Sequence, residues 1–227
     1  MKLSNETIGV LKNFASINSN IVINTGSEVR TISEAKSILA KATVTESFDT
    51  SFGIYDLNEF LGVVGMFDDP ELNIPDDGLS IRISQDRRAV KYFFSEPSIL
   101  TSPAKDIVLP STEVAFKLTQ EDMSTLRKAA AALGVSDVTI VGASGSSGMN
   151  ILVTDVKDST SNSFNIDIDE CTRSEEPFKF VFNIGNFKFV GGDYEVSISK
   201  RLISHFKNLN VPIEYWVALE KTSKFGE

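Results

Sequence analysis

A chain of 227 residues, 41% hydrophobic and 23% charged, has the balance of a globular protein that buries its own core, as one large or two small domains. A formal charge of −9 argues against a broad cationic surface gripping nucleic acid tightly, and leaves only weak, salt-sensitive, sequence-indifferent contact through a few gathered cations. The single cysteine, Cys171, excludes an intrachain disulfide; with no signal-like apolar run at the start and no stretch near ~20 apolar residues, a soluble intracellular protein is expected.

Residues 3–15, LSNETIGVLKNFA, predict a helix. Ser4 is the expected N-cap, Glu6 lies beside the positive end of the helix dipole, and Ile8, Leu11 and Ala15 form an apolar stripe. Lys12 stands at the margin of that stripe and Asn13 further round. Strands are expected at residues 21–23, 43–44 and 48–52. A second helix opens at Tyr55, with Leu57, Phe60, Leu61 and Val64 on one face. Its polar side shows Asn58, Gly62 and Gly65 and no cation, and Glu59 there would oppose an anion. Asp76, Asp77 and Gly78 read as a turn, and strands follow at residues 81–84 and 90–93.

Residues 96–111, EPSILTSPAKDIVLPS, predict an extended connector, because Pro97, Pro103 and Pro110 disfavour a helix. The connector is rich in apolar residues: Ile99, Leu100, Ile107, Val108 and Leu109. Such side chains either pack onto the protein or are offered to a partner.

Beyond the connector the first helix recurs. Residues 118–130, LTQEDMSTLRKAA, match residues 3–15, with Leu3 and Leu118, Glu6 and Glu121, Leu11 and Leu126, and Lys12 and Arg127 each 115 positions apart. Thr119 takes the cap, Met123, Leu126, Ala130 and Leu133 take the stripe, and Lys128 lies on the polar side. Strands are expected at residues 138–141, 150–153 and 164–168, separated by a Gly-rich hairpin loop at 142–148 and an exposed loop at 158–163. Residues 182–187 resemble residues 55–60, as a helix shortened by Gly185, Gly191 and Gly192. Residues 196–199 match 81–84, and 213–217 fall where 90–93 fall in the first half. Two similar domains are therefore expected, 1–105 and 106–227.

Nothing here assembles a catalytic centre. His205 is the sole histidine and Cys171 is isolated, so a Ser-His-Asp, Cys-His or zinc arrangement has no second candidate. Asp167, Asp169 and Glu170 read as the solvated face of a strand, and residues 142–148 lack the Lys-Ser/Thr of a phosphate loop. No enzyme activity, cofactor or metal is expected. A lone tryptophan in a strand, Trp216, is by default core or half-buried packing. Lys12, Arg127 and Lys128 would by default be solvated helix cations, but their position recurs in both copies.

MKLSNETIGVLKNFASINS, IYDLNEFLGVVGMFDD, FKLTQEDMSTLRKAAAALGVSDVTI and the closing IEYWVALEK together resemble the sliding clamps of T-even-type bacteriophages, across nearly the whole chain. Residues 27–47 and 155–177 match only in layout. The resemblance implies an α+β DNA-clamp fold, each of two domains carrying two helices on antiparallel sheets, and a homotrimeric ring with its helices inward. It implies a non-enzymatic processivity factor that encircles double-stranded DNA and tethers the replicative DNA polymerase. A clamp-loader complex and the transcription machinery are further implied partners, in the cytoplasm of a host cell and away from membranes. Implied DNA contacts are Lys2, Lys12, Arg127, Lys128 and Lys188; implied groove residues are Trp216, Ile203 and, on the opposite wall, Ile107, Val108 and Leu109. A duplicated α+β scaffold that ignores DNA is the runner-up, and a carboxylate hydrolase the third reading.

Overall fold

In the computed structural model, which describes residues 1–226, the first helix starts at its expected cap. Helix α1 (Asn5–Ile17) follows Ser4, whose side chain accepts a hydrogen bond from the Thr7 N–H. The buried face is Thr7, Leu11, Phe14 and Ile17, with Ile8 and Ala15 half-buried beside it. The stripe is thus rotated from the expected Ile8–Leu11–Ala15 line. Phe14 gains far more from burial than Ala15, and Thr7 can follow it inward because Glu46 accepts from its hydroxyl.

Four strands follow: β1 (Ile21–Ile23), β2 (Gly26–Ile32), β3 (Ile38–Phe48) and β4 (Phe52–Ile54). β1 pairs with β4 and β2 with β3, both antiparallel. Residues 48–52 are therefore not one strand. Phe48 closes β3, Phe52 opens β4, and the chain turns at residues 49–51, where short polar side chains favour a reversal. That turn lets both rings point inward, meeting edge-on at 5.9 Å. Helix α2 (Leu57–Val64) is capped by Asp56, which accepts from the Asn58 and Glu59 N–H groups, and buries Leu57, Phe60, Leu61 and Val64 as expected. An antiparallel sheet of β5 (Glu71–Asn73), β6 (Ser80–Gln85) and β7 (Arg88–Phe93) completes a unit spanning Met1–Asp106. In it Ile81 and Ile83 face the core, while Phe93 is 66% exposed.

The second unit, Ile107–Glu227, repeats the plan. It contains β8 (Val114–Leu118), helix α3 (Gln120–Leu133), β9 (Asp137–Gly142), β10 (Met149–Thr154), β11 (Phe164–Ile168), β12 (Cys171–Arg173) and β13 (Phe178–Asn183). After these come β14 (Tyr194–Ser199), β15 (Ile203–Asn208), β16 (Ile213–Ala218) and β17 (Lys224–Phe225). One antiparallel sheet runs β11-β10-β9-β13-β17 and the other β12-β8-β14-β15-β16. Thr119 caps α3, and Gly134 ends it in the left-handed region at φ 68°, which glycine adopts without a Cβ clash. β14 forms its hairpin with β15, so the counterpart of β7 is β15 and not the later strand β16.

The fourth helix is reduced to a single 3-10 turn, Ile184–Asn186. The residues after it alternate, with Phe187 and Phe189 buried and Lys188 exposed. That period of two belongs to extended chain, and Gly191 and Gly192 discourage a helix further on. Phe189 packs 4.8 Å from Phe206 and 4.6 Å from Tyr215. The Tyr194 hydroxyl donates to the Val190 carbonyl at 2.7 Å, and the Val190 N–H donates to the Tyr215 hydroxyl at 3.1 Å. Side chains thus satisfy backbone groups that a helix would have paired internally.

Candidate functional site

Exposed cations stand on both long helices. Lys12 on α1 and Arg127 and Lys128 on α3 are exposed, off the buried faces of their helices. The Arg127 guanidinium donates to the Phe187 carbonyl, at the end of the 3-10 turn. This bond brings Arg127 to the residue just before Lys188, which is itself exposed beyond the turn rather than within a helix. Lys2 is held differently. Its ammonium is paired with Asp69, and that hydrogen bond, which outweighs desolvation, raises its pKa. α2 adds no cation to its unit's helical surface.

A second surface lies on β15 and β16. Phe206, Tyr215 and Val217 are buried on one side of this pair; Ile203, His205 and Trp216 share the opposite side. Trp216 is 8% exposed, and the His205 ring, directly across the ladder, stacks on it at 4.7 Å and 21°. Nε2 of His205 lies 2.7 Å from a Glu214 carboxylate oxygen. In the sequence His205 stands out only as the sole histidine, with no catalytic or zinc partner. The signal for it was the tight hairpin: residues 205 and 216 sit symmetrically about the turn, which places them in register.

The connector ends beside this face. Ser111 Oγ is 2.8 Å from Ser199 Oγ and donates to Glu113 at 2.9 Å, while Glu113 also accepts from the Lys200 N–H at 2.8 Å. Ser199 is the ladder partner of Ile203. Leu109 is two residues before Ser111, so its Cα lies within about 7 Å of that anchored residue. Ile107 and Leu109 are half-buried and Val108 is 81% exposed. Among the described residues, no group of three or more His, Cys, Asp or Glu side chains is placed to hold a metal ion. Among the described residues, likewise, no helix is long and apolar enough to cross a membrane.

Two successive α+β units, each with a capped helix bearing an exposed cation and antiparallel sheets behind it, define the class of DNA clamps. A family profile described as DNA polymerase processivity factor matches residues 4–109, and one described as gp45 sliding clamp, C terminal, matches residues 115–221. The sliding clamp of Vibrio phage KVP40 is 34% identical over 224 residues, covering 97% of this chain and 99% of that protein. The sliding clamp of Escherichia phage RB69 is 30% identical over 229 residues, covering 98% of each. The chain belongs to the sliding clamp family of DNA polymerase processivity factors, which hold a polymerase on its DNA template. Among solved structures, A. fulgidus PCNA with the C-terminal region of FEN-1 bound superposes with a TM-score of 0.67 at 15% identity, covering 96% of each chain. The H. pylori beta clamp superposes with a TM-score of 0.70 at 14% identity over 97% of this chain; this chain spans 63% of its length. These last two likenesses establish the shared fold.

Proposed function

We propose that three copies close head to tail into a ring around duplex DNA, with α1 and α3 on the inner wall and Lys12, Arg127 and Lys128 toward the phosphates. Lys188 adds to the wall beside Arg127, and Lys2, tied to Asp69, contributes least. The two units act as the two clamp domains, 1–105 and 106–227, joined by the connector 96–111. The observation that carries this reading is the matched placement of Lys12 and Arg127, each exposed on a helix whose other face is core. β7 and β11 each end a sheet of their own unit, and unlike edges pairing between neighbouring copies give a heterologous contact that can close a ring. A closed ring needs no tight phosphate contact, because topology retains it, and few cations on an acidic chain suit free sliding. The ring does no chemistry; it raises the effective concentration of whatever is tied to it.

The polymerase, the clamp loader and the transcription machinery would share the face made by Ile203, His205, Trp216 and the end of the connector. An apolar peptide tail could lie there between Ile107, Val108 and Leu109 on one wall and Ile203 and Trp216 on the other. Changing Lys12, Arg127 and Lys128 together to Glu should leave far-UV circular dichroism and molar mass unaltered. Clamp-stimulated synthesis should drop steeply, and most at moderate salt. Stimulation equal to that of the unmodified protein would mean that these helices do not face DNA.

A further inference from the structure

We infer that α3 and the loop replacing the fourth helix form a discrete seat for one phosphate group of a nucleic-acid backbone. This rests on the inner-wall reading and adds to it a site with fixed donors. A cleft of about 310 Å³ lies between the two elements, lined by Gln120, Met123, Ser124, Arg127 and Lys128 on the helix and residues 190–192 on the loop. It combines a guanidinium, an ammonium, a hydroxyl and backbone amides. Phosphate oxygens are bound by this mixture of groups, since each oxygen accepts and none donates.

Three observations make the cleft a preformed receptor. First, the N–H groups of Gly191 and Gly192 have no hydrogen-bond partner among the described residues, whereas the flanking Val190 and Asp193 N–H groups do. A Cβ built at Gly191 would meet only the end of the Gln120 side chain, at 3.5 Å, so on that side the glycine faces a flexible group that can move aside. Secondly, the loop does not need a ligand to order it. Tyr194, Tyr215 and Asn208 hold its backbone, the last by donating to the Gly191 carbonyl at 3.3 Å. Thirdly, Arg127 is positioned by its bond to the Phe187 carbonyl, which leaves further guanidinium N–H groups to donate. Two of the nearby carboxylates are engaged, while Glu121, three residues before Ser124, is exposed. Asp193 accepts from Lys117 at 2.7 Å and from the Gln120 N–H at 3.0 Å, and Asp122 accepts from the Thr119 hydroxyl at 2.6 Å. Fixed donors need little reorganisation when the anion arrives, so one weak contact per subunit suffices to give the ring a preferred register on the backbone.

Two single substitutions separate a seat from a diffuse basic surface. Ser124→Glu puts a carboxylate in the cleft, one turn from Arg127 and Lys128; Gly9→Glu puts the same charge at the matching exposed place of α1, one turn from Lys12 and away from the cleft. A diffuse field predicts equal losses of duplex affinity, measured by fluorescence anisotropy on the full-length protein, with molar mass as the folding control. The seat predicts that Ser124→Glu weakens binding about tenfold more than Gly9→Glu, because it removes charge-assisted bonds as well as adding repulsion. Amide NMR of the unmodified protein provides a check that no variant can spoil. The Gly191 and Gly192 signals should move saturably with inorganic phosphate and with duplex DNA. Equal losses in the two variants, with silent glycine signals, would overturn the seat while leaving the inner wall in place. Glycine signals that answer phosphate but not duplex would overturn its assignment to nucleic acid. No loss of duplex affinity in either variant or in the Lys12, Arg127 and Lys128 triple variant would remove the inner-wall reading itself.

Discussion

Trp216 is almost fully buried, yet it stands on the side of β16 away from the Tyr215 and Val217 core, under the imidazole of His205. Its packing and its proposed place in the partner face are therefore compatible. A buried aromatic anchor accounts for ~2 kcal/mol or more of an interface, so Trp216→Ala should weaken polymerase binding about thirtyfold in a calorimetric titration. Molar mass should not change, and Leu109→Ser should weaken the same binding. If Trp216→Ala unfolds the chain while Leu109→Ser binds normally, the partner face lies elsewhere. Tyr194 provides a separate test at this scale. Burial, only partly offset by hydrogen bonding to Asn208 and the charge of Arg127, pushes its pKa from 10.0 up to about 12. The fold favours the neutral phenol, so this contribution to stability is complete below about pH 10 and is lost as pH rises toward 12. The melting temperature should fall more steeply over that interval in the unmodified protein than in Tyr194→Phe. Parallel slopes would mean that Tyr194 ionises in the fold as it does unfolded. The caps Ser4 and Thr119 follow from residue type and spacing, whereas the Asp56 cap emerges only with the fold, which starts α2 at Leu57; the stacking of His205 on Trp216 needs the hairpin register as well.

At the scale of elements, the amphipathic helices are the most legible part of the chain. Leu57, Phe60, Leu61 and Val64 recur with helical spacing, and that spacing is what the core uses. α1 shows where the pattern is ambiguous: two overlapping stripes exist, and the bulk of Phe14 decides between them. The fourth helical segment shows the opposite case, in which the glycines already argue for a short element and tertiary contacts set how short. Gly192 has φ 133°, and a Cβ there would come within 2.7 Å of the Asn208 side chain and 2.8 Å of Asn210. Gly192→Ala should therefore cost about 2 kcal/mol in urea unfolding, from backbone strain and crowding together. Gly191→Ala, facing only a flexible glutamine end, should cost under about 1 kcal/mol. Equal costs would mean that the loop rebuilds around either side chain.

For the whole molecule, the central expectation is a homotrimer. Three copies of a 24.9 kDa chain give about 75 kDa by light scattering at micromolar concentration. A monomer that persists at high concentration would sink the ring. The sequence by itself determined the duplication, the α+β class, the capped helices and the recurring cation, because each rests on local spacing or on similarity along the chain. It also pointed to the connector, whose prolines and aliphatics are visible without a fold. Only the tertiary structure decided the turn at residues 49–51, the loop that takes the place of a fourth helix, the tie of Arg127 to the Phe187 carbonyl and the burial of Trp216 beneath His205. Those features depend on which strands pair, in which register, and on which side chains compete for the same core volume. Such competition is between residues far apart in sequence, so local propensity does not contain it.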